Sequence, residues 1–431
     1  MRSCAFFVFV LACVLFASCG QDKGSAQEGP AVTQPPAAKA EKPALPTPAP
    51  TPGKRRVLLV TESQFKTNAN GQYTVPDKGA MLVLTPESQG GFTAERVEDE
   101  GSNVMHKAMQ YGNEGILSIG GNAAALKMWN KDGNSWRSKT LWSPTFGGKQ
   151  NRLRDFEQAD FDGDGRMDLA IATHDQGVVA VVWRRGDAWV PEELDRTPDT
   201  FVHEIEVGDL DGNGKLEIYA TPSQPNRLSG EAQGGRVMRY AWNGKTFDKS
   251  VVAEFATRHV KEILVADLDK DGRQELYASL EAEMLGAGEA ATIKEPVEIL
   301  RFDDKGGKLT GVKVATLPDR FCRFLTYGDL DGDGKQELVA SAFSSGVWVM
   351  KRKDDGTWEP SNIDKESSGF EHAAFVADLE NDGRPELYVA DDGHGTIVRY
   401  EYANGAYVGT PINRRMVPSE AMVWNITMAE L

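Results

Sequence analysis

Five short stretches of the chain place acidic or amide side chains at alternate positions: DFDGDGRMD from Asp160, DLDGNGKLE from Asp209, DLDKDGRQE from Asp267, DLDGDGKQE from Asp329 and DLENDGRPE from Asp378. Oxygens at positions 1, 3, 5, 7 and 9 of such a tight turn converge on one hard cation, position 7 offering its backbone carbonyl and a glycine at position 6 allowing the sharp bend. All five stretches have that glycine, as Gly165, Gly214, Gly272, Gly334 and Gly383. The expected side-chain ligands are Asp160, Asp162, Asp164 and Asp168; Asp209, Asp211, Asn213 and Glu217; Asp267, Asp269, Asp271 and Glu275; Asp329, Asp331, Asp333 and Glu337; and Asp378, Glu380, Asp382 and Glu386. A plain polar turn would crowd like charges with nothing to balance them. About five Ca2+ ions in a structural role are therefore expected. Asn213 at position 5 and Glu380 at position 3 make the second and fifth sites the weaker ones.

The elements that hold these loops follow from their flanks. Each loop is preceded by an apolar strand, such as FVHEIEVG or FEHAAFVA, and followed directly by another, such as LEIYA or ELYVA. The loops therefore join strands, unlike the helix pairs of calcium switches. A glycine-led strand comes next, as in GVVAVVW, GRVMRYAW, GVWVMKR and GTIVRYEY, then a turn and a large side chain. Trp189, Phe247, Trp358 and Tyr407 hold that last place and are expected to pack. The loop starts lie 49, 58, 62 and 49 residues apart, the length of a four-stranded propeller blade with insertions in two intervals. Upstream of Asp160, VMHKAMQYGNEGILSIGGN and LKMWNKDGNSW repeat the plan without the acids. Residues 54 to 103 supply three more strands, and Ala421 to Met428 a strand to complete them. The expected fold is all-β, a seven-bladed β-propeller over residues 54–431 closed by pairing of its N- and C-terminal strands. With five motif copies, residues 55 to 431 resemble the FG-GAP/VCBS repeat family, related to the integrin α-subunit propeller. The resemblance implies an extracellular, calcium-supported propeller used for binding and adhesion, and does not imply one ligand.

A second periodic feature sits six residues before each loop start, counted from Gly112 in the repeat without the acids, where a basic or imidazole side chain recurs: His106, Arg154, His203, Lys261, Arg323 and His372. At ~3.3 Å per residue this position lies about 20 Å from the metal end of its strand. Two readings stand: an anion- or glycan-binding rim at the channel mouth, or hydrogen bonds from each blade to its neighbour. In the second, the adjacent acids Asp155, Glu204 and Glu262 would neutralise the charge.

Arg2, the apolar run Ala5 to Phe16 and the sequence Ala17-Ser18-Cys19-Gly20 read as an export signal too short to span a bilayer. Residues 1–19 resemble a bacterial lipoprotein signal with Cys19 as the lipidated residue, although Phe16 stands where Leu is usual, leaving ordinary cleavage open. Residues 20–53 form a Pro/Ala-rich tether that cannot bury a core; as polyproline II, at ~3.1 Å per residue, it reaches up to about 100 Å. Lipid anchoring at the outer membrane or cell surface is expected, with a periplasmic or secreted location as the alternative. Of four cysteines, Cys4, Cys13 and Cys19 lie in the leader, so the folded part keeps Cys322 and has no internal disulfide. The net charge of −16 argues against a nucleic-acid partner. The loops hold 19 of the carboxylates, and five Ca2+ would offset ten of those charges.

No nucleophile elbow, phosphate-cradling glycine loop or zinc motif accompanies the repeats. His174 and His394 lie near loops beside Asp175, Asp391 and Asp392, as solvated side chains or as acid–base pairs. The expectation is a monomeric, non-enzymatic binding module for a protein or carbohydrate, touching the membrane only through its lipid. The alternatives are an envelope scaffold and a carbohydrate-active enzyme.

Overall fold

The computed structural model describes residues 53–65, 77–88, 90–148, 151–174, 176–225, 233–286, 291–414 and 421–431. The expected leader, with Cys19, and the tether up to residue 52 lie outside them, as does Asp175. Among the described residues every regular element is a β-strand, in a propeller-like arrangement of antiparallel sheets.

One four-stranded sheet has the order β3-β2-β1-β30, built from β1 (Arg56–Gln64), β2 (Gly79–Pro86), β3 (Phe92–Asp99) and β30 (Ala421–Glu430). The next sheet holds eight strands: β4 (Val104–Tyr111), β5 (Gly115–Gly121), β6 (Leu126–Asp132), β7 (Ser135–Trp142), β8 (Arg152–Ala159), β9 (Asp168–His174), β10 (Val179–Arg185) and β11 (Ala188–Asp195). Its two halves are joined by the bridge between Gly121 and Arg152. Four discrete four-stranded sheets follow. The first comprises β12 (Phe201–Gly208), β13 (Glu217–Gln224), β14 (Gly234–Trp242) and β15 (Phe247–Phe255). The second comprises β16 (Val260–Ala266), β17 (Glu275–Leu280), β20 (Val297–Asp304) and β21 (Leu309–Leu317), with the ribbon β18 (Glu283–Leu285) and β19 (Thr292–Glu295) inserted. The third comprises β22 (Cys322–Gly328), β23 (Glu337–Ala342), β24 (Gly346–Arg352) and β25 (Trp358–Asp364), and the fourth β26 (Ala374–Ala377), β27 (Glu386–Asp391), β28 (Thr396–Ala403) and β29 (Ala406–Arg414).

The two long repeat intervals are explained by insertions between second and third strands: the segment from Gln224 to Gly234 in one, and the β18–β19 ribbon in the other. Second strands such as β9 (DLAIATH) and β17 (ELYASL) are apolar without alternation because both of their faces are covered by neighbouring sheets. Fourth strands such as β11 alternate weakly and face water. The cores accordingly lie between sheets and between the halves of the eight-stranded one: Leu117, Ile119 and Leu126 meet Leu153, Phe156 and Ile171 across those halves, and Ala170, Val181 and Trp183 meet Ile205, Ile218 and Tyr240 of the next sheet. Phe247 is buried, while Trp189, Trp358 and Tyr407 pack against these cores. Cys322 is buried as a free thiol.

One expected strand is shorter than its sequence suggested. FEHAAFVA yields only Ala374–Ala377, because His372 takes a left-handed backbone (φ 58°) that cannot continue a ladder.

Candidate functional site

Each acidic loop is wound on its own first side chain. The amide of the position-6 glycine donates to the position-1 carboxylate in all five: Gly165 to Asp160 at 2.8 Å, Gly214 to Asp209 at 2.8 Å, and Gly272, Gly334 and Gly383 to Asp267, Asp329 and Asp378 at 2.9 Å. The position-5 oxygen accepts from the position-7 amide, as in Arg166 to Asp164 (2.9 Å) and Lys215 to Asn213 (2.8 Å). This winding needs left-handed backbone at position 6, where φ runs from 82° to 88°. Position 4 is left-handed too, and the sequence reading passed over it because only three loops place glycine there; Lys270 and Asn381 adopt it as side-chain-bearing residues.

In three loops the carboxylate oxygens gather within 4.8 Å of one another: Asp160, Asp162 and Asp168; Asp267, Asp269, Asp271 and Glu275; and Asp329, Asp331 and Asp333. These loops keep Asp at both positions 3 and 5. In each of them one buried carboxylate oxygen has no hydrogen-bond donor: Asp168 Oδ2, Asp269 Oδ1 and Asp329 Oδ1. Buried acceptors without partners are rare, and a gathered set of hard oxygens suits a hard cation such as Ca2+. The position-9 acids are the most deeply set. Burial pushes Asp168 up to about 6, Glu337 up to about 7, and Glu275 and Glu386 up to about 8. A bound cation would favour their charged forms.

The basic side chains six residues ahead of the loops are buried, none more than 5% exposed. Five of them sit at a β-bulge: the ladder slips between Met105 and Lys107, Leu153 and Asp155, Val202 and Ile205, Val260 and Glu262, and Cys322 and Phe324. A bulge frees one residue from the ladder and turns its side chain, here toward the neighbouring sheets. His106, His203 and His372 each place Nδ1 on a backbone carbonyl of the next or preceding repeat, Leu153 at 2.6 Å, Lys261 at 2.7 Å and Ala342 at 2.6 Å. Arg154 donates to Glu371 at 2.9 Å and meets His203 Nε2 at 2.9 Å. Arg323 donates to Glu371 at 3.2 Å and to Glu281 at 3.0 Å. Burial and the guanidinium of Arg154 hold His203 down to about 3. Burial works against the charge of Glu281, yet Arg323 and its other neighbours bring it down to about 2.

The guanidinium groups of Arg154 and Arg323 are thus paired with Glu371 and Glu281 rather than with the acid next in sequence, while Glu204 stays 3.9 Å from His203. Asp155 instead holds Lys107 at 2.9 Å and the amide of Ile205 at 3.1 Å, and Glu262 accepts from the amide of Leu325 at 3.2 Å. Consecutive strand residues point apart, so Asp155 and Glu262 face a different layer from Arg154 and Lys261. The sequence reading also missed a seventh member. The ladder between β1 and β30 slips beside Trp424, whose ring packs edge-on against His106 at 4.8 Å and lies 5.9 Å from the Arg154 guanidinium. Trp424 is aromatic where the other positions are basic or imidazole, so the repeat pattern did not index it.

A model of the FG-GAP-like repeat matches residues 160–220 and 329–389, each running from one acidic loop through the next and into the strand after it. At these two places the chain carries FG-GAP-like repeats. No curated protein matches the sequence. Among solved structures, the periplasmic gluconolactonase PpgL of Pseudomonas aeruginosa is 14% identical, with a TM-score of 0.52 over 86% of this chain and 99% of its own. Two proteins named as putative 6-phosphogluconolactonases align similarly. That of Bacteroides uniformis ATCC 8492 is 15% identical (TM-score 0.54, 86% and 99% covered), and that of Bacteroides fragilis NCTC 9343 is 14% identical (0.53, 86% and 98%). At such identity the likeness concerns the fold.

Away from the FG-GAP-like loops, His394 Nδ1 lies 2.6 Å from Asp391 Oδ2, in a cleft of about 320 Å3 between β25 and β28. His174 packs against Phe201, ring centroids 5.0 Å apart. On the side opposite the acidic loops, Phe321, Phe343 and Phe370 form a half-buried cluster, with the Arg323 guanidinium 4.2 Å from the Phe370 ring.

Proposed function

We propose that this chain is an exported, calcium-supported β-propeller of seven blades, closed by its terminal strands, that serves as a binding module for a protein or carbohydrate at the cell envelope. The observation that carries the metal part is the lone buried oxygen in each of three gathered carboxylate sets, Asp168, Asp269 and Asp329. Up to five Ca2+ ions are assigned to the loops, in a structural role. Seven blades are supported by reading the eight-stranded sheet as two units, since a single bridge joins its halves. Closure is supported by the pairing of β1 with β30 and by the inner strands, which touch in the order β4, β8, β12, β16, β22, β26, β30 and again β4. With the basic ring internally paired, the ligand surface we assign is the face bearing Phe321, Phe343 and Phe370, where half-buried rings offer apolar contact to a sugar or an apolar side chain. Cys19 is assigned as the lipid anchor and the proline-rich segment as the spacer, with the propeller acting as a monomer.

Adding calcium to chelator-treated protein is expected to raise its melting temperature, and a calcium-containing glycan array to return ligands lost on Phe343→Ala. An unchanged melt with no bound metal would remove the calcium reading. The His394–Asp391 pair and the gluconolactonase names of the similar structures favour a second reading, hydrolysis. Lactone turnover abolished by His394→Ala would establish it in place of a binding role.

A further inference from the structure

In every FG-GAP-like repeat the position-3 carboxylate already has a cation beside it, supplied by the third strand of its own sheet. Arg185 lies 2.8 Å from Asp162, Arg239 2.6 Å from Asp211, Arg301 2.8 Å from Asp269 and Arg399 3.2 Å from Glu380. Lys351 makes the corresponding contact with Asp331. Arg239 and Arg301 also reach the position-9 acids Glu217 and Glu275. These five residues do not share one ladder position. Arg239, Arg301 and Arg399 pair with Tyr219, Tyr277 and Tyr388, whereas Lys351 follows Met350, the partner of Leu338, and Arg185 lies three residues past Val182, the partner of Leu169. Repeat descent alone would keep the register. Different registers that deliver one charge to one place indicate that the charge itself is required there.

We propose that these five side chains are tethered counter-cations, which hold the position-3 carboxylate when a loop has no metal and with which Ca2+ competes for the loop. The inference rests on the metal reading above. A loop of three or four carboxylates within 4.8 Å is repulsive when bare. A guanidinium or ammonium fixed on an adjacent strand relieves that repulsion at no translational cost, because its local concentration is set by the fold. The same positive charge opposes an incoming divalent ion. Metal-free protein then stays folded, and affinity for calcium is set lower than the carboxylate count implies. The opposing possibility is that the cation orients the carboxylate for the metal, as supporting groups around metal sites do, in which case its removal weakens binding. The two differ in sign.

The test compares wild type with Lys351→Met and the charge-keeping Lys351→Arg, using calorimetric calcium titration and melting curves in chelator and in saturating calcium. Arg239→Gln provides a second loop should Lys351→Met not fold. The expected result is one site tightened roughly tenfold in the charge-removing variant, a lowered melting temperature in chelator, little change in calcium, and wild-type behaviour from Lys351→Arg. Weaker or unchanged calcium binding with an unchanged chelator melt overturns the inference while leaving the metal reading intact. Wild-type protein that takes up no calcium overturns both.

Discussion

Gly334 shows how little of a loop's geometry is negotiable at the level of one residue. Its backbone stands at φ 88° and its amide donates to Asp329 at 2.9 Å, yet a Cβ built there would meet nothing within 4 Å. Gly334→Ala therefore isolates backbone strain from crowding. It is expected to cost about 1–2 kcal/mol in urea denaturation with calcium present, and an unchanged midpoint would mean that the loop relaxes to another winding. The residue types and spacing in the loops were legible in the sequence because a metal turn is local, its five oxygens coming from nine consecutive residues. The cations that partner them were not. Arg185, Arg239, Arg301, Lys351 and Arg399 come from a strand two elements away at varying offsets, and only pairing brings them to the loop.

At the scale of the element, the bulge decides what the ring of basic residues does. Sequence spacing placed His106, Arg154, His203, Lys261, Arg323 and His372 at one level, but which way the first five point follows from a ladder slip that has no sequence signature of its own. Buried away from water, Arg154 and Arg323 take Glu371 as partner and His203 takes the Lys261 carbonyl, tying β8 and β22 to the segment before β26 and β12 to β16. His203 makes this measurable. Its folded pKa is depressed to about 3 against about 6.5 when unfolded, so the neutral ring contributes stability that is present above about pH 6.5 and is lost as pH falls toward about 3. His203→Gln, neutral throughout, is expected to lose about 3 kcal/mol less than wild type between about pH 7 and about pH 4. Equal losses would place His203 in water.

For the molecule as a whole, the chain ends matter most. β30 pairs with β1 along nine residues of that strand, Trp424 Nε1 donates to Ser63 Oγ at 2.6 Å, and Thr427 donates to the Ala108 carbonyl at 2.6 Å. A chain ending at residue 420 would leave β1 with an open edge and β4 without its neighbour. It is expected to lose the single cooperative melt of the full chain; a melt matching the full chain would show that the terminal strand holds nothing together. By itself the sequence determined the all-β repeat, the loop positions, the strand order within each repeat and the N- and C-terminal segments brought together, because each depends on contacts close in sequence or on a period that counts them. Only the tertiary structure decided that Glu371 and Glu281 balance the basic ring, that Trp424 joins it, and that each acidic loop carries its own cation. Those depend on which side chains different strands turn toward the same point, and pairing register and bulges fix that rather than residue type.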